Sequence, residues 1–156
     1  MAGVNAIPEG YTSVTPYLFI SGATKALEFY RDVFGAEERL RIPGPNNTIG
    51  HAEIAINGAV IMLADECPQM HARSPKAIGG SPVMVHLYVT DADAVVKKAT
   101  AAGATILDPV ADKFYGDRSG SIVDPFGHLW AVATHVEDVS PEEIQKRLAA
   151  MSKGNG

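Results

Sequence analysis

The sequence predicts an α+β fold: two tandem βαβββ modules followed by a C-terminal helix. Three observations predict it. Tyr17–Leu27 can be laid on His86–Val96 at an offset of 69 residues, with Leu18 on Leu87, Phe19 on Tyr88, Ile20 on Val89 and Ala23 on Ala92. The same offset carries Asn57–Ala64 onto Phe126–Ala133, with a glycine at the turn of each, Gly58 and Gly127. Between the two copies lies Glu66–Pro82, a stretch with three prolines and two glycines that reads as a linker.

Each element has a local reason. After an N-terminal extension (residues 1–11), the first module covers residues 12–65. Val14–Ile20 is an apolar, β-branched and aromatic run, and reads as its first strand. Ser21 is the expected N-cap of a helix whose apolar positions Ala26, Leu27, Tyr30, Val33 and Phe34 have the spacing of one buried stripe, with Gly35 ending it. Ala36–Ile42, Gly50–Ile56 and Ala59–Ala64 follow as strands, the last two joined by Asn57–Gly58, a pair that favours a two-residue hairpin. The second module, residues 83–137, repeats the order. Met84–Val89 is the strand, and Asp91 caps a helix bearing Ala92, Val95, Val96 and Ala99, which Gly103 stops. Ala104–Val110, Ser119–Asp124 and His128–Thr134 complete it. Residues 138–156 form the C-terminal helix and tail: Ser140 as N-cap, Pro141 at the first helical position and Glu143 closing a capping box, with a loose tail from Ser152 onward.

The bulk properties exclude several classes. At 156 residues, 46% hydrophobic and 20% charged, the chain is globular. A net charge of -5 argues against nucleic acid, which needs a basic footprint. A single cysteine, Cys67, cannot build an internal disulfide framework and suits a reducing compartment. No apolar run approaches the ~20 residues needed to span a bilayer, and the N-terminal residues lack the basic and apolar regions of a signal peptide. The expectation is a cytoplasmic protein with neither membrane nor nucleic acid among its partners.

The paired βαβββ modules, the helix "LEFYRDVFGAE" (Leu27–Glu37) and the hairpin "DPFGHLW" (Asp124–Trp130) together resemble the vicinal oxygen chelate superfamily over residues 12 to 137. That superfamily holds glyoxalase I, extradiol dioxygenases, and fosfomycin- and bleomycin-resistance proteins. The run from Tyr115 to Ile144, beginning "YGDRSGSIVDPFGHLW", is similar to a bacterial branch described as glyoxalase/bleomycin-resistance-like. The resemblance implies curved mixed sheets around a central cavity, and dimers. It also implies metal-ligand positions on the first and last strand of each module, which fall on Thr15, Met62, Met84 and Ala131. The repeat pairs Thr15 with Met84 and Met62 with Ala131. Met and Ala supply neither imidazole nor carboxylate, and a threonine hydroxyl is a poor lone ligand, so no metal or other cofactor is expected; a divalent metal is the lesser alternative.

Strand alternation nominates the residues that line the cavity. Thr15, Tyr17 and Phe19 share a face, as do Met84, His86 and Tyr88, then Val60, Met62 and Ala64, then Leu129, Ala131 and Ala133. They either line a pocket or fill a core. His86 is the candidate catalytic residue, a proton shuttle or hydrogen-bond anchor, with a satisfied core histidine as the plain alternative. Tyr115 and Arg118 sit on a loop expected at the cavity mouth; Arg118 either grips an anion or makes a structural pair with Asp117 or another carboxylate. His51 and Glu53 share a strand face and read as a solvated edge or as part of a metal site. His135–Glu137 reads as a surface connection, and Asp124–Gly127 as a hairpin turn. Trp130 and His128 are expected on the sheet's other face. The expected function is binding of a small, partly aromatic molecule in the cavity of a homodimer. The alternative is a lyase, isomerase or dioxygenase using His86, His51 and Glu53.

Overall fold

The computed structural model describes residues 3–153. The chain divides into two compact units. The first runs to Pro82 and takes in Pro125–Gly127; the second holds Val83–Asp124 and the residues from His128 onward.

The first unit contains β1 (Tyr17–Ile20), α1 (Ala23–Phe34), β2 (Glu37–Pro43), β3 (Ile49–Ile56), β4 (Ala59–Asp65) and a short α2 (Pro75–Ile78). Its sheet has the order β1-β4-β3-β2; β1 and β4 are parallel and the other pairs antiparallel, which makes the sheet mixed. Asn57 (φ 49°) and Gly58 (φ 84°) both take positive φ, as a hairpin following the right-handed twist of its strands requires. α1 packs on all four strands and buries the five expected side chains together with Ala23 and Phe29. The rings of Tyr30 and Phe34 stack at 5.9 Å, Phe29 meets Phe34 edge-on at 5.8 Å, and Phe126 closes the cluster against Phe29 and Tyr30 at 6.1 and 6.3 Å. Leu18, Ile20, Ile54, Ile61 and Leu63 complete this core, each large side chain contributing about 1.5–3 kcal/mol by leaving water.

The cap of α1 differs from expectation. Gly22, not Ser21, is the N-cap, and no side chain next to it fills that role. Asp65 does so from the end of β4: its Oδ1 accepts from the amides of Gly22 (3.0 Å) and Ala23 (2.9 Å), and its Oδ2 from Ile49 (2.7 Å). A carboxylate at a helix N-terminus also meets the positive end of the helix dipole. The expected linker is folded. Ser74 is fully buried, caps α2 through Ala77, and donates its amide to Glu66 (3.0 Å), while Cys67 and Ala72 form a β-bridge.

The second unit contains β5 (Met84–Tyr88), α3 (Ala92–Ala101), β6 (Thr105–Asp112), β7 (Asp117–Val123), β8 (Leu129–His135) and α4 (Pro141–Lys153), with sheet order β5-β8-β7-β6 and β5 parallel to β8. Asp91 caps α3 as expected, accepting from Ala94 (2.9 Å). Trp130 lies fully buried, and its indole N–H donates to Asp124 (2.9 Å), whose other carboxylate oxygen accepts from the amide of His128 (3.0 Å). Ser140 Oγ accepts from Glu143 N (3.2 Å), but Glu143 turns its carboxylate to Arg147 (3.2 Å) rather than back to the cap. Arg147 also forks onto Glu137 (2.6 and 2.9 Å) and donates to the Phe114 carbonyl, which ties α4 to the loop before β7. Ser152 and Lys153 belong to α4; the remainder of the tail expected to be loose lies outside the described residues.

The loop entering β7 depends on Gly116 (φ 101°). Its carbonyl accepts from Val136 and Glu137 at 2.9 and 3.0 Å, which ties the chain just after β8 to this loop. A Cβ at this position would stand 2.1 Å from the Glu137 carbonyl oxygen.

Candidate functional site

On the inner strands of each sheet the side chains facing the helix are largely buried, and the opposite face carries the residues that alternation nominated, whereas the edge strands β2 and β6 are exposed. The parallel ladders set Tyr17 opposite Met62 and His86 opposite Ala131, two pairs related by the 69-residue offset. Of the four positions the resemblance nominated, Thr15 precedes β1, Met62 lies on β4 opposite Tyr17, Met84 faces Leu129 and Ala131 faces His86.

On the first sheet, Glu53 faces Met62 from β3, extending the row from Tyr17 across the sheet. The Tyr17 hydroxyl lies 2.9 Å from His51 Nδ1, His51 Nε2 lies 3.2 Å from Glu53 Oε1, and the Tyr11 hydroxyl donates to Glu53 Oε2. His51 and Glu53 are therefore not a solvated edge. β3 is an inner strand, and Glu53 is only 6% exposed. The hydrogen bond from Tyr11, with that from His51, holds the Glu53 carboxyl below the usual carboxylate range against its burial; the same bond raises the Tyr11 phenol, and burial raises Tyr17. Tyr17 and Phe19 present paired rings, centroids 5.1 Å apart, with Tyr17 41% exposed.

The second sheet carries a different polar set. His86 and Tyr88 pair at 4.7 Å, both on the exposed face. The Tyr88 hydroxyl donates to Asp117 Oδ2 (2.8 Å), and His135 Nδ1 lies 2.8 Å from Asp117 Oδ1 while its Nε2 lies 2.9 Å from Asp138 Oδ1. His135 is thus not a mere surface connection. With a carboxylate at each ring nitrogen its pKa is raised, first by the hydrogen bond with Asp138 and then by that with Asp117. Burial acts to raise buried Asp117, but hydrogen bonds from His135 and Tyr88 overcome it and hold that group low. Tyr115 reaches the buried Ser119 at 3.4 Å. Arg118 does not join this group. The alternation that aims Asp117 and Ser119 at one face sends Arg118 to the other, where it forks onto Asp93 (2.6 and 2.9 Å) and also bonds Asp112 (3.0 Å). Its structural pairing is real, with these partners rather than Asp117.

The sequence reading missed three members: Asp117, His135 and Tyr11. One more step of the same alternation, from Ser119 back to Asp117 and from Ala133 on to His135, reaches the first two. Nothing in the sequence pointed to Tyr11, which lies in the N-terminal extension. A groove of about 590 Å³ between α3 and β6, lined by Val96, Thr100, Ile106, Pro109 and Val110 among others, was also unforeseen. Among the described residues no three His, Cys, Asp or Glu side chains stand together as metal ligands. Thr15, Met62, Met84 and Ala131 do not fit the donor chemistry of a divalent cation.

Comparison with known proteins agrees with this architecture. The family model of the Glyoxalase/Bleomycin resistance protein/Dioxygenase superfamily matches residues 12–132. An uncharacterised protein of Mycobacterium bovis is 40% identical over 145 residues, covering 91% of this chain and 95% of that one. Among solved structures, TioX from Micromonospora sp. ML1 superposes with a TM-score of 0.62 at 27% identity, covering 83% of this chain and 100% of its own. A gene product of Arabidopsis thaliana gives 0.64 at 28% identity, covering 79% and 98%. By the order of its strands, the parallel closure of each sheet and the match of its sequence, the chain belongs to the Glyoxalase/Bleomycin resistance protein/Dioxygenase superfamily.

Proposed function

We propose that this protein binds a small, partly aromatic molecule on the open sheet faces without using a metal. One observation carries the reading: equivalent strands of the two sheets hold ring pairs left partly or largely in water, Tyr17 with Phe19 and His86 with Tyr88, beside Met62 and Met84. Large side chains left partly in water on the side of a sheet away from its helix are poor core and good stacking surface. Titration with a panel of planar aromatic compounds tests it. Saturable binding that Tyr17→Ala and Tyr88→Ala each weaken by tenfold or more supports the reading; no saturable binding across the panel overturns it. The chain is further read as a cytoplasmic homodimer, which sedimentation showing a monomer at micromolar concentration contradicts.

A second reading, a lyase, isomerase or dioxygenase-type enzyme, is favoured by the relay Tyr17–His51–Glu53, in which an imidazole between a phenol and a carboxylate is arranged to pass a proton. Its test is a turnover lost in His51→Ala and His86→Ala variants that stay folded.

A further inference from the structure

Glu53 is a buried carboxylate whose two oxygens have donors of very different kind. Oε1 is served by His51, two residues away on the same strand. Oε2 is served by the hydroxyl of Tyr11, 42 residues away, on a segment that precedes β1. That segment is exposed from Gly3 to Gly10 and again from Thr12 to Val14; only Tyr11 is partly covered. The Tyr11 amide bonds the Pro8 carbonyl and the Thr12 hydroxyl the Val14 carbonyl, both local to the segment. What fixes Tyr11 to the sheet is its hydroxyl on Glu53 and the Arg39 guanidinium, 5.1 Å from its ring centroid and within 3.4 Å of the Gly10 carbonyl. A segment with so few ties opens at low cost, whereas a buried carboxylate oxygen left without a donor is costly. The position on Oε2 therefore asks for a donor always, and for this tyrosine only by default.

We infer that Tyr11 holds the place of a hydroxyaryl ligand: the first sheet takes a phenolic molecule whose hydroxyl donates to Glu53 Oε2 and whose ring lies against Arg39, displacing residues 10–11. Resting on the aromatic-binding reading above, this names the class of ligand. The ring would lie beside the row His51–Tyr17–Phe19, whose centroids are 5.5 Å and 5.1 Å apart in turn. A cation over an aromatic face and a charged acceptor at its hydroxyl together select for a phenol over a plain hydrocarbon ring.

The probes are 2-naphthol and 2-methoxynaphthalene, equal in ring system, with the second lacking the donor. Titrated into the full chain, 2-naphthol is expected to bind about tenfold more tightly, the worth of one charge-assisted hydrogen bond. Tyr11→Phe removes the competing hydroxyl and keeps the ring, so displacing residue 11 no longer breaks a bond to Glu53; it should tighten 2-naphthol severalfold. Glu53→Gln, near-isosteric and checked for folding by circular dichroism, should shrink the preference severalfold. Equal binding of the two probes, unmoved by Tyr11→Phe, overturns this inference while the aromatic-binding reading stands. Failure of both probes to bind overturns the inference together with that reading.

Discussion

Asp124 is the side chain whose loss the second unit should tolerate least. It is 3% exposed, accepts from the Trp130 indole at 2.9 Å and the His128 amide at 3.0 Å, and bonds its own amide to the His128 carbonyl. Asp124→Ala leaves two donors, one on a fully buried indole, without their acceptor. Each costs about 1–3 kcal/mol when buried unpaired, so we expect a loss of roughly 3–5 kcal/mol, a large share of the ~5–15 kcal/mol that holds a domain folded. Asp124→Asn keeps one acceptor oxygen and should cost about half as much. Urea unfolding followed by tryptophan emission reads the result directly, because Trp130 is the only tryptophan. The reasoning fails if Asp124→Ala unfolds within about 1 kcal/mol of the parent, since buried orphan donors have no milder cost. It also fails if the two substitutions prove equally damaging, for then the count of acceptors is not what matters.

Other expectations follow from the same structure. Phe126→Ala removes the ring that closes the cluster on Phe29 and Tyr30, and should cost about 3–5 kcal/mol in chemical denaturation. Gly116→Ala must push apart the Glu137 carbonyl, 2.1 Å from the new Cβ, and should lower the melting temperature more than any exposed-loop alanine. Arg118→Ala, whose pairs with Asp93 and Asp112 are solvent-exposed, should cost little stability, and less still as salt is added. By NMR, His135 should titrate above the ordinary imidazole value of ~6.5, and Asp138→Asn should lower its midpoint. Because its folded pKa is raised, the stability it supplies is full below ~6.5 and disappears as pH climbs through the folded value; for Asp117, held low, it is full above ~3.9 and disappears as pH falls through the folded value.

What was legible in the sequence is what near neighbours decide. The α1 stripe, the Asn57–Gly58 turn and the Asp91 cap each depend on contacts within a few residues, and strand parity placed Tyr17, Phe19, His86 and Tyr88 on one face of their sheets. What escaped depends on distance along the chain. Asp65 caps a helix 42 residues earlier, Tyr11 reaches Glu53 across 42, and Asp93 takes Arg118 across 25. Parallel pairs have no tight turn to fix their register, so the pairing of Tyr17 with Met62 and of His86 with Ala131 could not be read, although the face could.

The parallel closure of each sheet has a kinetic side. β3 and β4 are joined by a two-residue turn and β7 and β8 by a tight one, so these hairpins form on the microsecond scale, about 1–10 μs. β1 and β5 must wait for a partner some 45 residues away, as Tyr17 waits for Met62 and His86 for Ala131. Each then sits at the rim of its sheet with a single ladder neighbour. With one ladder neighbour each, β1 and β5 should open more readily than the inner strands, so amide exchange along Tyr17–Ile20 and Met84–Tyr88 should outrun that of β4 and β8. Anything that held those rings in place would therefore slow the opening of β1 and β5, the strands closed by the longest-range pairing in their sheets.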